Sequence, residues 1–97
     1  MLFAAACADK PNSVETRMAN RPAHLAYLAS LGARVRVGGA LLDAEAKSPL
    51  GSLIIFEAAS EAEVRAMLAE DPYTKAGLFA SIDLKPWRQA IGAQLAE

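Results

Sequence analysis

With 97 residues the chain suffices for one small domain, expected over residues 1–97, and a core that thin favours a partner subunit. Ten basic side chains face eleven acidic ones, a balance that argues against a nucleic-acid footprint or an anionic membrane surface. One cysteine and one histidine cannot supply the roughly four ligands of a structural zinc, and a single cysteine forms no internal disulfide, which fits a cytoplasmic setting.

Leu2 to Ala8 is an uninterrupted apolar run closed by Asp9-Lys10-Pro11-Asn12. It lacks the basic leader of a signal peptide and falls short of the ~20 apolar residues of a membrane span, so it predicts a buried central strand. Ser13 to Ala19 predicts a helix capped by Asn12 or Ser13. Asn20-Arg21-Pro22 predicts a break, with a second helix from Pro22 to Leu31 and Gly32 as its stop. Arg34 to Leu42 alternates at first, Val35 and Val37 against Arg34 and Arg36, and Gly38-Gly39 suggests a bulge or a close backbone approach. Asp43 to Gly51 reads as a hairpin loop, and Ser52 to Ala58 as a strand.

Ser60-Glu61-Ala62-Glu63 has the form of a capping box, with Glu63 expected to reach back to the Ser60 amide. Val64, Met67 and Leu68 follow at helical spacing, and Asp71-Pro72 ends that helix. Leu78 to Leu84 alternates, placing Leu78, Ala80, Ile82 and Leu84 on one face and Phe79, Ser81 and Asp83 on the other. Pro86 limits further pairing, and the tail from Trp87 to Glu97 has some helical character. The order strand, helix, strand, strand, helix, strand is the α+β ferredoxin-like arrangement, βαββαβ with an antiparallel sheet. Helices would cover one face of that sheet. A second copy would cover the other, giving a homodimer.

Few side chains suit chemistry. On a helix opening at Pro22, the arc of Leu25, Leu28 and Leu31 turns His24 towards the sheet. It is then either a core histidine bonded to backbone or a general acid/base, work its ordinary pKa near ~6.5 suits. Asp9, at the end of the first strand, is the residue expected to orient it as in a catalytic triad, or else to cap the next helix. Arg17 and Arg21 could clamp an anionic substrate or simply be solvated. Asp71 and Tyr73 either face a pocket or only stop a helix. Cys7, inside an apolar strand, reads as an inert small hydrophobe. No nucleophile elbow, phosphate loop or dinucleotide fingerprint is present, and no cofactor or metal is expected.

Taken as a set, Asp9-Lys10, Arg17, Arg21-Pro22-Ala23-His24-Leu25, the glycines before Leu41, Gly51-Ser52, Asp71-Pro72-Tyr73 with Gly77, and Lys85-Pro86-Trp87 resemble the YCII-related (YciI-like) family across nearly the whole chain. The resemblance implies a ferredoxin-like domain dimerising through its sheets as a dimeric α/β barrel. It implies a pocket holding a His–Asp pair, here His24 and Asp9. It also brings in two chemistries of relatives: dehydrochlorination of a chlorinated hydroxyhydroquinone, and proton movement on ring-derived acids by muconolactone isomerases. Gly39-Ala40 departs from the family's usual Gly-Pro. Three functions follow. One is a cofactor-independent lyase or isomerase on a small anionic or aromatic metabolite, with His24 and Asp9 catalytic and Arg17, Arg21, Asp71 and Tyr73 holding substrate. The others are a non-catalytic small-molecule-binding or accessory module, and a purely structural dimer.

Overall fold

The N-terminal apolar run lies at the heart of the sheet. In a computed structural model, which describes residues 1–93, it forms β1 (Leu2–Asp9). Then come helix α1 (Val14–Ser30), strands β2 (Val35–Leu42) and β3 (Pro49–Glu57), helices α2 (Glu61–Ala69) and α3 (Pro72–Lys75), and strand β4 (Phe79–Trp87). The four strands lie in the order β2-β3-β1-β4, every neighbouring pair antiparallel. This is the expected ferredoxin-like topology. β1 is hydrogen-bonded on both sides, and that central position outweighs the weak strand preference of its four alanines. Its inward residues Phe3, Ala5 and Cys7 are buried, and they meet Ile54, Phe56, Val64, Met67, Leu68 and Leu84 in one core between sheet and helices. Gly51 is required where β3 meets β1, since a Cβ there would sit 2.5 Å from the Cys7 carbonyl oxygen.

Several local expectations change in the folded chain. Asn20-Arg21-Pro22 does not break the helix: α1 is continuous, with Pro22 inside it. Proline removes one backbone donor, and the carbonyl it deprives belongs to exposed Met18, where solvent can take the bond. The bulge lies not at Gly38-Gly39 but two residues before Gly38. Val35 pairs with Phe56 and Val37 with Ile55, so Arg36 is the extra residue. A second irregularity, between Ala8 and Asp9 against β4, turns Phe79 to the core side together with Ile82, against the simple alternation.

At Ser60 the hydroxyl accepts from the Glu63 amide at 3.2 Å, as a capping box requires. The reciprocal bond goes to Ala59, whose amide donates to Glu63 Oε1 at 3.3 Å, and not to the Ser60 amide. Asp71-Pro72 ends α2 as expected and also opens the single turn of α3. After Trp87 the described residues form no helix, and residues 94–97 lie outside the described residues. No helix among the described residues is long and apolar enough to cross a membrane.

Candidate active site

The unbroken α1 sets the first half of the site. Arg17 and His24 lie seven residues apart, two helical turns, so they project from one face, and both are buried. Arg21 sits between them on the same side and is exposed. His24 therefore does turn inward, and only 6% of its surface is exposed.

Its partner is not Asp9. His24 Nδ1 lies 2.8 Å from Asp71 Oδ1 and 2.9 Å from Oδ2, across 47 residues of sequence. Asp9 instead faces Arg17, with Nε donating to Oδ2 at 2.7 Å and Nη2 to Oδ1 at 3.0 Å. The reason lies in position. Asp9 ends β1 at the level of the first turns of α1, next to Arg17, whereas His24 lies two turns further along. There the α2–α3 junction brings Asp71 against it. Asp71 is held by the fold itself: it caps α3, its Oδ1 accepting from the Tyr73 amide at 2.9 Å, and Pro72 occupies the first helical position, where its missing N–H costs nothing.

An ionised carboxylate can only accept, so opposite such a group Nδ1–H donates to Asp71, and in the neutral imidazole the lone pair then lies on Nε2. The Tyr73 ring stacks on the imidazole, centroids 3.8 Å apart and planes 13° from parallel, and this fixes the second angle of the ring. The Arg17 guanidinium carbon lies 4.7 Å from the Tyr73 ring centre, a cation–π distance. Arg17 Nη2 also donates to Ser52 Oγ at 2.7 Å. Asp9, Arg17, Ser52, Tyr73, His24 and Asp71 thus form one connected set of side chains. Burial works against the Arg17 charge, but its bonds to Asp9 and the Asp9 charge outweigh that and hold its pKa above the ordinary arginine value. Burial likewise raises the Tyr73 pKa, with Arg17 opposing, so the phenol stays protonated at neutral pH.

His24 lines a cleft of about 260 Å³ between α1 and β2, together with Arg17, Arg21, Tyr73, Ser52 and the glycine pair of β2. Of the residues expected to touch substrate, Arg17, Arg21 and Tyr73 border this cleft. Asp71 lies behind His24, 1% exposed, and does not. Arg21 pairs with no carboxylate among the described residues, which leaves its charge open to the cleft. Ser52 is not among the expected site residues, although Gly51-Ser52 belongs to the family-like pattern and Ser52 is a polar residue within an apolar strand.

Cys7 lies on the core face of β1 close to this network. Burial, and next the Asp71 charge, push its thiol up from an ordinary 9.0 to about 12. The folded state holds that proton where the unfolded chain releases it. Its stabilising contribution is therefore complete below pH 9 and lost as pH climbs to about 12. Iodoacetamide should leave the native thiol unmodified at neutral pH. In alkaline titrations of unfolding free energy, Cys7→Ala should flatten the decline above pH 9, by up to about 1.4 kcal/mol per pH unit. An unchanged slope would show that the thiol is already free to ionise in the fold.

The model of the YCII-related domain matches residues 1–88. Protein YciI of Escherichia coli O6:H1 is 32% identical over 98 aligned positions, which cover 94% of this chain and all of that one. An uncharacterized protein of Haemophilus influenzae is 33% identical over 90 positions, 86% of this chain and 92% of its own. Among solved structures, the 5-chloro-2-hydroxyhydroquinone dehydrochlorinase of Burkholderia phenoliruptrix AC1100, in complex with 2,5-dihydroxybenzoquinone, is 42% identical with a TM-score of 0.86, covering 93% of this chain and 96% of that one. A Bacteroides thetaiotaomicron protein described as a monooxygenase of antibiotic biosynthesis shares the fold alone, at 18% identity, a TM-score of 0.55 and coverage of 97% and 95%. The match over residues 1–88 and relatives above 30% identity along almost their whole length show that this chain belongs to the YCII-related family.

Proposed function

We propose that the protein is a cofactor-independent acid/base enzyme, a lyase or isomerase, that acts on a small anionic ring compound in the cleft beside His24. The observation that carries this reading is the double contact of Asp71 on Nδ1, which leaves Nε2 as the proton-accepting nitrogen on a side chain that borders the cleft. Asp71 fixes the tautomer and would stabilise the imidazolium formed when Nε2 takes a proton. Arg21 offers its charge to the anionic end of the substrate. Arg17, committed to Asp9, acts as a fixed positive field and supports the Tyr73 ring. Similarity to a dehydrochlorinase that binds a dihydroxybenzoquinone supports a polyhydroxylated ring as substrate.

For a chlorinated hydroxyhydroquinone the balance is loss of HCl. A ring hydroxyl gives its proton to Nε2, and that proton is returned to the carbon bearing chlorine, forming a keto tautomer. Removal of a second hydroxyl proton then drives electrons through the ring, chloride leaves, and a hydroxyquinone remains. One histidine can serve both proton transfers. The test is incubation with 5-chloro-2-hydroxyhydroquinone, monitored by chloride release and quinone absorbance. One chloride per substrate is expected from the native protein, and none above background from His24→Gln. Equal rates in the two proteins would overturn the assignment of His24, and bound but unchanged substrate would make the protein a binding module.

The same reading includes a homodimer formed through the open sheet face. Val37, Leu41 and Leu53 on that face are 47%, 38% and 42% exposed, an apolar patch that a second copy would cover. Sedimentation equilibrium should give two chains per particle, and Leu53→Lys one. A native monomer would remove the dimer from the proposal.

A further inference from the structure

β2 is the wall of the cleft with the least side chain. Because the bulge falls at Arg36, Val37 turns to the open face, and Gly38 and Ala40 turn inward, opposite Ile54 and Ser52. Both border the cleft with His24, Arg21 and Tyr73. Gly38 has no backbone reason to be glycine, since the glycines with positive φ are Gly32, Gly77 and Gly92. It has no strong packing reason either. An added Cβ would meet nothing closer than Ile54 Cγ1 at 3.4 Å, an ordinary contact. Glycine inside a strand weakens it, and often marks a place where a ligand or another backbone approaches closely. The neighbouring cleft, about 260 Å³, lies just below the roughly 300–1,000 Å³ of ordinary ligand pockets, a size that suits one substituted ring and not a larger ligand.

We infer that Gly38, with Ala40 beside it on the inner face of β2, determines substrate class: the cleft takes a flat single-ring anion whose ring lies against the bare β2 backbone while its charged substituent meets Arg21. This deepens the acid/base reading of His24 and rests on it. Ring shape is selected by the missing side chain at 38, and charge by Arg21. A side chain at 38 would project from β2 into the space between that strand and α1, so it excludes a ring without touching the histidine's own supports.

The chain's single histidine gives a direct reporter, because its imidazole resonances need no assignment among others. Benzoate and acetate are titrated separately into the native protein, Gly38→Val and Gly38→Ala, following the His24 ring signals. Both anions should shift them in the native protein. Gly38→Val should weaken benzoate by about tenfold or more and leave acetate unchanged. Gly38→Ala adds one methyl at ordinary contact distance and should weaken benzoate severalfold, which decides the matter if the valine variant does not fold. Equal benzoate affinity in the native protein and the variants overturns this inference and leaves the role of His24 standing. A native His24 that responds to neither anion overturns both.

Discussion

Asp71→Asn should leave a folded protein that binds substrate but turns it over about 10²-fold more slowly or worse. Asparagine is as good a helix cap as aspartate, so α3 and the position of Tyr73 survive. What changes is the proton. The carboxylate can only accept from Nδ1, whereas an amide can donate to it, and that bond places the imidazole proton on Nε2. Nε2 then has no lone pair for the substrate, and the imidazolium loses its counter-charge. His24→Gln should be worse, by about 10³-fold, because no acid/base group remains. For Asp71→Asn the kinetic signature is a fall in kcat with KM nearly unchanged, since Asp71 does not line the cleft and Arg21 and the cleft walls are untouched. If Asp71→Asn kept native turnover, the Asp71–His24 contact would be a matter of packing.

Asp9→Ala should act on stability first. Both partners of its ion pair with Arg17 are nearly sealed, at 5% and 4% side-chain exposure. Removing the carboxylate leaves a buried guanidinium with no counter-charge, held only by the Ser52 hydroxyl and the Tyr73 ring, a loss of about 3–5 kcal/mol. A domain of this length holds roughly 5–15 kcal/mol in all, so the midpoint should fall by roughly 12–40 °C. The double variant Asp9→Ala with Arg17→Met should recover much of that, because no unpaired charge stays buried. Thermal unfolding of the three proteins measures this. Turnover in Asp9→Ala, read well below its midpoint, should fall less than in Asp71→Asn. A stable Asp9→Ala protein without turnover would return Asp9 to the chemistry.

Much of the site was legible residue by residue and not pair by pair. The inward turn of His24 follows from Leu28 and Leu31 around one helix, because helical geometry repeats locally whatever lies elsewhere; Leu25, expected in the same arc, is instead 45% exposed. Asp9, Arg17, Asp71 and Tyr73 stand out as chemically able residues at element ends. Their pairing does not follow from spacing. Asp9 is near in sequence but sits beside Arg17, and Asp71, 47 residues from His24, arrives only when α2 and α3 pack against α1. Pro22 illustrates the same limit: its missing donor is a local fact, but whether the helix survives depends on whether the deprived carbonyl reaches solvent.

By itself the sequence determined the element order, the buried run of β1, the cap at Ser60 and the inward face of α1, because each rests on periodicity, capping and turn chemistry within a few residues. Tertiary structure alone decided which carboxylate holds the histidine, that the bulge falls at Arg36, and that Gly38 therefore faces the cleft. Those depend on register and helix docking, where a shift of one residue in pairing reverses every side chain beyond it.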